Sequence, residues 1–301
     1  MKISRRDFLK WSAASAIALK LNFDMDRLNT VMAADSNPPV IWLQGAGCSG
    51  CSISTLNVTN PTTIDDVLLN KVSMKFHPDI GTYSGESAMQ AIDKAASQYD
   101  GQFILVLEGA VHTGNYENYC IIGQLNGVDV TMYDVVMKYG PMAKYVVSAG
   151  TCASFGGVAK AGINSATCSD VKSLLSGKTR NAVVNLPGCP VHPTVLVQTL
   201  LDLILTGVPA LDTSNRPTKY FSTRIHRSCP RKEGGEAKQP GVVGCYEELG
   251  CKGKSCMSSP CPSASWNNGR GWCIGVNYPC IGCADAAFPT SPLIGGGGSG
   301  D

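Results

Sequence analysis

Charge is scarce in this sequence, and neither sign dominates. Charged residues make up 16% of the 301 positions, hydrophobic residues make up 44%, and the formal net charge is +2. Residues 1–34 hold six basic and three acidic side chains, so the remaining chain carries 19 basic and 20 acidic ones. Binding to nucleic acid or to anionic lipid requires a marked basic excess. The composition therefore predicts a globular protein with no nucleic-acid partner.

Long hydrophobic runs are also missing beyond the N-terminal region. The longest apolar helical pattern, at about 194–205, is interrupted by Gln198 and Asp202. A membrane-spanning helix needs about 20 consecutive apolar residues. We therefore expect this segment to be a packed core helix, and we expect no transmembrane helix elsewhere in the chain.

Residues 1–34 have the pattern of an export signal. The pair Arg5-Arg6 is followed by an apolar pair and Lys10, and then by a short apolar stretch that ends in small residues. This order matches twin-arginine signals, which a receptor reads and which direct the export of folded proteins. A basic amphipathic helix is the alternative. We predict a protein located in the periplasm or on the outer face of the cytoplasmic membrane.

Short apolar runs alternate with amphipathic stretches in residues 35–212. Strands are predicted at 40–44, 72–76, 103–107, 145–149 and 182–186, and helices at about 62–70, 84–98, 131–139, 169–175 and 193–206. This alternation is typical of a doubly wound α/β sheet with parallel strands. The sequence therefore predicts a flavodoxin-like domain in this part of the chain.

The pattern changes after about residue 212. Periodicity fades, Gly, Pro, Cys and Ser dominate, and eight of the 14 cysteines lie between 229 and 283. So many cysteines in a short irregular stretch indicate that metal or covalent bonds hold it together. We predict an irregular, cysteine-rich domain at 213–294 and a flexible tail at 295–301.

Four cysteines follow predicted strands of the first domain. Cys48 and Cys51 follow the first strand, Cys152 follows the fourth, and Cys189 follows the fifth. Because the carboxyl ends of parallel strands lie at one edge of a sheet, we expect these four thiols to hold one cluster.

The second domain offers three further spacings of ligand-type residues. His226-x-x-Cys229 is followed by Cys245-x5-Cys251, and Cys261 is followed by Cys273 and then by Cys280-x-x-Cys283. Structural zinc, disulfides and iron–sulfur clusters all use such spacings. A relay of iron–sulfur clusters is favoured, because disulfides do not explain the histidine and a sheet with its own core does not need a zinc staple. Zinc remains an alternative.

Six motifs in order make the chain resemble the small, electron-transferring subunit of a nickel–iron hydrogenase. The resemblance runs from about Val40 to Pro292. Its motifs are Cys48-Ser-Gly-Cys51, Gly150-Thr-Cys152-Ala-Ser-Phe-Gly-Gly157, Leu186-Pro-Gly-Cys189-Pro, His226-Arg-Ser-Cys229-Pro, Glu248-Leu-Gly-Cys251-Lys-Gly253 and Pro279-Cys280-Ile-Gly-Cys283.

The resemblance implies three [4Fe–4S] clusters and assigns their ligands. The proximal cluster would be held by Cys48, Cys51, Cys152 and Cys189, the medial cluster by Cys261, Cys273, Cys280 and Cys283, and the distal cluster by His226, Cys229, Cys245 and Cys251. Below, these are called the proximal, medial and distal sets. The resemblance also implies that hydrogen is split at a nickel–iron site in a separate large subunit.

Some positions depart from the family pattern or are left unassigned. Many members have Pro where this chain has Cys273, and a fourth thiolate implies a medial [4Fe–4S] cluster, as in the selenium-containing branch. Oxygen-tolerant members have cysteines where this chain has Gly50 and Gly157, so we expect an ordinary proximal cluster. Three cysteines remain, of which one is an alternative to Cys261 as a medial ligand: Cys120, Cys168 and Cys256.

The predicted function is electron relay within a hydrogenase. No residue of this chain is predicted to be catalytic, and the electron acceptor is expected to be a cytochrome or a membrane-bound partner. A free-standing exported electron carrier is the first alternative, although the short cysteine repeats of bacterial ferredoxins are missing. Glu108, at the end of the third strand, is predicted either to anchor the proximal loops, to face the partner subunit or to cap a helix.

Overall fold

The structure is a computed structural model that describes residues 37–161, 167–267 and 269–289. The predicted export signal and the predicted tail lie outside these ranges. The strands are β1 (Pro39–Gln44), β2 (Ser73–Phe76), β3 (Ile104–Glu108), β4 (Val111–His112), β5 (Ile121–Leu125), β6 (Val128–Thr131), β7 (Tyr145–Ala149), β8 (Cys168–Ser169) and β9 (Val184–Leu186).

Most helices are short and lie in the first 205 residues. The α-helices are α1 (Gly50–Leu56), α2 (Ile64–Asp66), α3 (Gly85–Gln98), α4 (Met132–Tyr139), α5 (Gly150–Phe155), α6 (Gly157–Lys160), α7 (Val171–Leu174), α8 (Pro193–Leu205), α9 (Thr218–Phe221) and α10 (Pro260–Ser263). A π-helical turn at Val67–Lys71 continues α2, and 3₁₀ turns occupy Gly114–Tyr119 and Ile225–Ser228.

Five parallel strands form the central sheet, in the order β2-β1-β3-β7-β9. Counted among themselves along the chain, these strands stand in the order 2-1-3-4-5, which is the flavodoxin-like arrangement. The predicted fold class and the five predicted strands are confirmed. Ligands of such sheets bind at the carboxyl edge, where the chain order reverses between β1 and β3.

Hydrophobic cores cover both faces of the sheet. In β1, Val40 and Trp42 enter one core while Ile41 and Leu43 enter the other, as the two-residue period of a strand requires. Helices α3 and α4 cover the second core. Helix α8 covers the first core and packs against α1. The first core also contains Cys229, so it continues into the cysteine-rich part of the chain.

Helix α8 is the core helix expected from its apolar pattern. It begins with Pro193, whose missing N–H costs nothing at the first helical position. Val195 to Leu201 are all buried. Across the described parts of the chain, no helix has the length and apolar character needed to cross a membrane.

Two small pairings were not predicted. Strands β5 and β6 form an antiparallel hairpin, which turns at Asn126-Gly127 with φ angles of 54° and 76°. An Asn-Gly turn is a strong hairpin signal, because both central residues need positive φ. Strand β4 pairs antiparallel with β8 and brings His112 opposite Cys168.

The cysteine-rich part is irregular, as predicted. Among its described residues, regular structure is limited to α9, α10 and the 3₁₀ turn at Ile225–Ser228. Segments of this part are held by backbone hydrogen bonds between turns, such as the bond from His226 N–H to Gly253 O at 2.9 Å. The domain boundary at 212/213 stays a prediction.

Candidate functional site

Glu108 organises the first cysteine-bearing loop at the carboxyl edge of the sheet. It ends β3 and is 1% exposed. Its carboxylate accepts hydrogen bonds from the N–H of Cys51 at 2.9 Å, from the hydroxyl of Ser52 at 2.5 Å and from the indole N–H of Trp42 at 3.1 Å. The N–H of Ser52 also donates to it. Glu108 therefore both caps the first turn of α1 and anchors the loop that carries Cys48 and Cys51.

Hydrogen-bond donors around the Glu108 carboxylate oppose the effect of burial on its pKa. Burial raises the pKa of Glu108, and the hydrogen bonds from Ser52, Cys51 and Trp42 oppose that rise. An ionised carboxylate accepts all of these bonds, whereas a protonated one would place a donor among donors. We conclude that Glu108 is ionised and leaves a negative charge beside the proximal set.

The other two proximal segments are joined to each other. Helix α5 begins at the end of β7 and contains Cys152, and the loop after β9 contains Cys189. The N–H of Thr151 donates to Gly188 O at 2.9 Å, and the N–H of Gly188 donates to the Thr151 hydroxyl at 2.8 Å. Cys51 and Cys152 thus lie in short helices, although loops were expected there, while Cys189 lies in a loop.

Two glycines keep the space around the proximal thiols open. Gly150 has φ of +84°, and a side chain there would overlap Cys51 Sγ. Gly157 has φ of +51°, and a Cβ atom there would lie 2.7 Å from Cys152 Sγ. Both positions combine a left-handed backbone with close approach of a thiol, so only glycine fits without rearrangement.

The proximal thiols lie close enough to influence each other. Burial raises the pKa of Cys51, and negative charges on Glu108, Cys152 and Cys189 would raise it further. Burial likewise raises the pKa of Cys152 and of Cys189. Such thiols are protonated alone and become thiolates only when bound metal cations compensate their charge.

The medial set lines one cavity of about 440 Å³. The hydroxyl of Ser258 lies 3.3 Å from Cys261 Sγ, and the indole N–H of Trp266 donates to the same sulfur. The N–H of Gly282 donates to Cys280 Sγ at 3.4 Å. The cavity wall includes all four cysteines of the medial set and one of the proximal set: Cys261, Cys273, Cys280, Cys283 and Cys189.

Cys256 lies beside this cavity but does not line it. Its side chain is 1% exposed and is hydrogen-bonded to Cys280. This hydrogen bond raises the pKa of Cys256 and lowers that of Cys280. The position favours Cys261 over Cys256 as the medial ligand, which stays a prediction.

The distal set lies on turns of the cysteine-rich part. The N–H of Cys229 donates to His226 O at 3.2 Å, and the N–H of Cys251 donates to Tyr246 O at 3.0 Å. Burial raises the pKa of Cys251, and charges on Cys280 and Cys229 would raise it further. His226 is half-buried, while Cys229 and Cys245 are buried.

Hydrogen bonds between the segments that carry the predicted ligands link the three sets in a row. The hydroxyl of Thr151, next to Cys152 of the proximal set, donates to the carbonyl oxygen of Cys283 in the medial set, and the N–H of Cys189 faces Cys283 Sγ. The N–H of Cys280 in the medial set donates to Cys251 Sγ in the distal set at 3.3 Å. In addition, the N–H of Lys252 donates to Cys280 O at 2.7 Å. The order along this row is therefore proximal, medial, distal.

The donor geometry does not suit a single metal ion. All 14 cysteines are free thiols. Within residues 37–161, 167–267 and 269–289, no three His, Cys, Asp or Glu side chains come close enough together to hold one metal ion. Structural zinc needs four donors about 2.0–2.3 Å from one point.

Several residues at the site could not be found from sequence. Thr151, Ser258 and Trp266 are ordinary polar or aromatic residues whose hydrogen bonds to the ligand segments depend on the fold. The contact between Cys168 Sγ and His112 Nδ1, at 3.1 Å, depends on the β4–β8 register. For the last case no spacing signal exists, because the two residues are far apart along the chain.

Family models match three parts of the chain. Residues 48–203 match the family described as the 20 kDa subunit of NADH ubiquinone oxidoreductase. Residues 221–294 match the C-terminal region of NiFe/NiFeSe hydrogenase small subunits. Residues 2–21 match the twin-arginine translocation signal, which confirms the predicted export route.

Individual relatives cover nearly the whole chain. The periplasmic [NiFeSe] hydrogenase small subunit of Desulfomicrobium baculatum is 34% identical over 96% of this chain and 97% of its own length. The periplasmic [NiFe] hydrogenase small subunit 1 of Nitratidesulfovibrio vulgaris is 33% identical over 95% of this chain and 90% of its own.

A solved structure shares the fold over most of both chains. The recombinant [NiFeSe] hydrogenase from Desulfovibrio vulgaris Hildenborough has a chain that matches with a TM-score of 0.81 and 38% identity, covering 88% of this chain and 99% of its own. The α/β part thus belongs to the family of the 20 kDa oxidoreductase subunit. As a whole, the chain belongs to the small subunits of nickel–iron and nickel–iron–selenium hydrogenases.

Proposed function

We propose that this chain relays electrons between the nickel–iron site of a hydrogenase large subunit and an external acceptor through three [4Fe–4S] clusters. The observation that supports this most strongly is the row of three predicted ligand sets, whose segments are joined by hydrogen bonds. Bound clusters would supply one-electron redox chemistry. The residues of this chain would hold, space and tune them.

The donor set fits such clusters. Every proposed sulfur ligand is a free thiol, and several of them accept hydrogen bonds from backbone N–H groups. Hydrogen bonds to ligand sulfur raise the potential of an iron–sulfur cluster, because they stabilise the more negative reduced state. In the distal set, a neutral imidazole from His226 in place of a thiolate would act in the same direction.

A four-iron medial cluster is part of the proposal. Cys273 lines the same cavity as Cys261, Cys280 and Cys283, so four thiols surround that space. Burial raises the pKa of Cys273, and charges on Cys280 and Cys261 would raise it further. The similarity to [NiFeSe] hydrogenase subunits is consistent with this feature.

The proximal edge would face the large subunit. Cys48 and Cys189 are exposed there. Exposed apolar side chains accompany them, with Ile53 on α1 and Val158 on α6 each 58% exposed. A partner that covers this edge would bury both the thiols and the apolar side chains. We propose that the heterodimer works in the periplasm and passes electrons to a cytochrome or a membrane-bound acceptor.

Two alternatives make different predictions for the purified protein. A structural zinc protein would contain zinc and no sulfide, although among the described residues no three donors lie close enough together to hold one ion. A free-standing electron carrier would contain iron and sulfide but no nickel-bearing partner.

Metal analysis of the affinity-purified protein tests the proposal. We expect about 12 iron atoms and as many sulfides per small subunit, together with a co-purifying subunit that contains nickel. Zinc in place of iron would refute the relay. Iron without a nickel-bearing partner would support the free-standing carrier instead.

A further inference from the structure

Thr151 joins three ligand-bearing segments through one hydroxyl group. It lies next to Cys152 on α5 and is 1% exposed. Its hydroxyl accepts the N–H of Gly188 at 2.8 Å and donates to the carbonyl oxygen of Cys283. Because Gly188 directly precedes Cys189, this hydroxyl connects two segments of the proximal set with one segment of the medial set.

The same junction contains a direct contact between ligands. The N–H of Cys189 faces Cys283 Sγ, and both cysteines line the 440 Å³ cavity. A shift of the Cys189 loop relative to Cys283 would therefore lengthen this contact. The Thr151 hydroxyl is hydrogen-bonded at both ends of this contact, to the N–H of Gly188 before Cys189 and to the carbonyl oxygen of Cys283.

His192 fastens the Cys189 loop to the opposite side of the medial set. It is 5% exposed, and its Nε2–H donates to Ser265 O at 2.7 Å. Its ring packs edge-on against Trp266, with 4.7 Å between the ring centroids. Trp266 in turn donates its indole N–H to Cys261 Sγ. The loop after β9 is thus held to the cysteine-rich part at two points.

We propose that Thr151 and His192 are positioning residues that fix the distance, and hence the electronic coupling, between the proximal and medial clusters. This inference rests on the proposed function. Among the described residues, no strand pairing joins the sheet to the cysteine-rich part across this junction. Side-chain hydrogen bonds from these two buried residues align the Cys189 loop with the medial segments, in addition to the shared hydrophobic core, and their removal leaves buried polar groups unpaired.

The test compares Thr151→Val with Thr151→Ser in the complete heterodimer. Valine keeps the shape of threonine and removes the hydroxyl, whereas serine keeps the hydroxyl. Iron and sulfide are counted first. Electron paramagnetic resonance of the reduced protein then measures the magnetic splitting between the proximal and medial signals, and a redox titration gives the medial potential. Rapid mixing with hydrogen gives the rate at which the distal signal forms.

With Thr151→Val we expect unchanged iron, a weaker proximal–medial splitting and a severalfold slower appearance of the distal signal. The medial potential moves to more negative values, because the N–H of Cys189 moves away from Cys283 Sγ. Thr151→Ser retains the wild-type values. A role limited to fold stability would change the melting temperature without changing the splitting or the potential.

Unchanged splitting in a fully iron-loaded Thr151→Val heterodimer would overturn the inference. If that variant loses iron, His192→Phe is tested instead, because phenylalanine keeps a ring but removes the hydrogen-bond donor. His192→Gln is its control, because glutamine retains an N–H donor. An iron-loaded His192→Phe protein with wild-type splitting then overturns it. Wild-type protein without iron would instead refute the proposed function.

Discussion

At the residue scale, Glu108 illustrates how one buried charge can organise a site. Its carboxylate holds the N-terminal turn of α1, which brings the first two cysteines of the chain to the carboxyl edge of the sheet. The same charge lies beside the thiols of the proximal set. Glu108 therefore stabilises the loop and, if the proposed proximal cluster is bound, would disfavour added negative charge on it.

We expect Glu108→Gln to raise the potential of the proximal cluster. The substitution removes a negative charge, which makes the reduced state less unfavourable. The glutamine NH₂ group would also face one of the N–H or O–H donors that now bind the carboxylate. We expect this to lower the free energy of unfolding by about 1–3 kcal/mol. Redox titration followed by paramagnetic resonance measures the first effect, and thermal unfolding measures the second.

Glu86→Gln is the control for Glu108→Gln. Glu86 is exposed at the start of α3 and accepts the N–H of Asn126 at 3.2 Å, a bond that a glutamine oxygen can also accept. It should leave the proximal potential unchanged. An unaltered potential in Glu108→Gln would contradict an ionised Glu108 next to the proximal set.

Cys273 is the second residue whose role can be tested alone. We expect Cys273→Ala to lose about one iron atom and to give the signal of an oxidised three-iron cluster, because three thiolates remain around the medial cavity. The measurement is paramagnetic resonance of the oxidised heterodimer. Cys168→Ser, which removes a thiol outside all three sets, should show no such signal. A strong three-iron signal in the wild-type protein would refute the assigned role of Cys273.

At the scale of elements, the regular half of the fold follows from local pattern. Strands β1 and β3 alternate residues between the two cores, and α8 is apolar along most of its length, so period and length identify them. The β4–β8 pair has two residues per strand, which is too short for any periodicity. The short helices around Cys51 and Cys152 were missed because glycine and cysteine at their starts give no helical signal.

The three ligand sets also differ in whether the sequence alone could group their members. Cysteines after strand ends can be grouped from sequence, since a parallel sheet brings its carboxyl ends together. In the irregular half, the grouping of the ligands depended on a family resemblance. Turns that are held by hydrogen bonds between distant residues produce no periodic sequence pattern. Contacts between the predicted ligands and their neighbours, such as that of Trp266 with Cys261, can be identified only from the folded structure.

Helix α4 offers a test of element stability away from the clusters. Thr131 caps it with a reciprocal pair of hydrogen bonds: its hydroxyl accepts the N–H of Asp134 at 3.1 Å, and the Asp134 carboxylate accepts the N–H of Thr131 at 2.9 Å. We expect Thr131→Ala to lower the free energy of unfolding by about 1 kcal/mol. Thermal unfolding with Thr131→Ser as control checks this, and equal melting temperatures for the alanine variant and the wild type would contradict it.

At the scale of the whole molecule, charge is divided unevenly between the two parts. Residues 37–212 carry 9 basic and 13 acidic side chains, whereas residues 213–289 carry 10 basic and 5 acidic ones. Next to His226, Arg224 and Arg227 are exposed. Three nearby lysines are instead paired with glutamates, in the pairs Lys232–Glu233, Lys238–Glu236 and Lys254–Glu247. The surface around the distal set is therefore mildly electropositive.

This division predicts how the rate of hydrogen oxidation depends on salt. With a small anionic electron acceptor, the rate should fall by up to about tenfold as salt increases, because ions screen the attraction to the distal surface. A cationic acceptor should show the opposite trend. Steady-state assays with one acceptor of each charge measure both.

Arg227→Gln should reduce the salt dependence seen with the anionic acceptor. Lys94→Gln is the control, because Lys94 is exposed on α3 in the acidic part of the chain. Identical salt profiles for both acceptors would show that electrons leave the protein elsewhere or that the local charge does not steer the acceptor.

The core that lies on one face of the sheet also contains Cys229, Cys256, Cys261 and Cys280. Without the proposed clusters, this core surrounds polar thiols beside a cavity of about 440 Å³, so we expect cluster insertion to be coupled to the completion of folding. The export route suggested by the N-terminal match accepts folded cargo. Iron starvation would consequently lower the amount of this subunit that is exported. It would not lead to accumulation of an iron-free subunit in the periplasm.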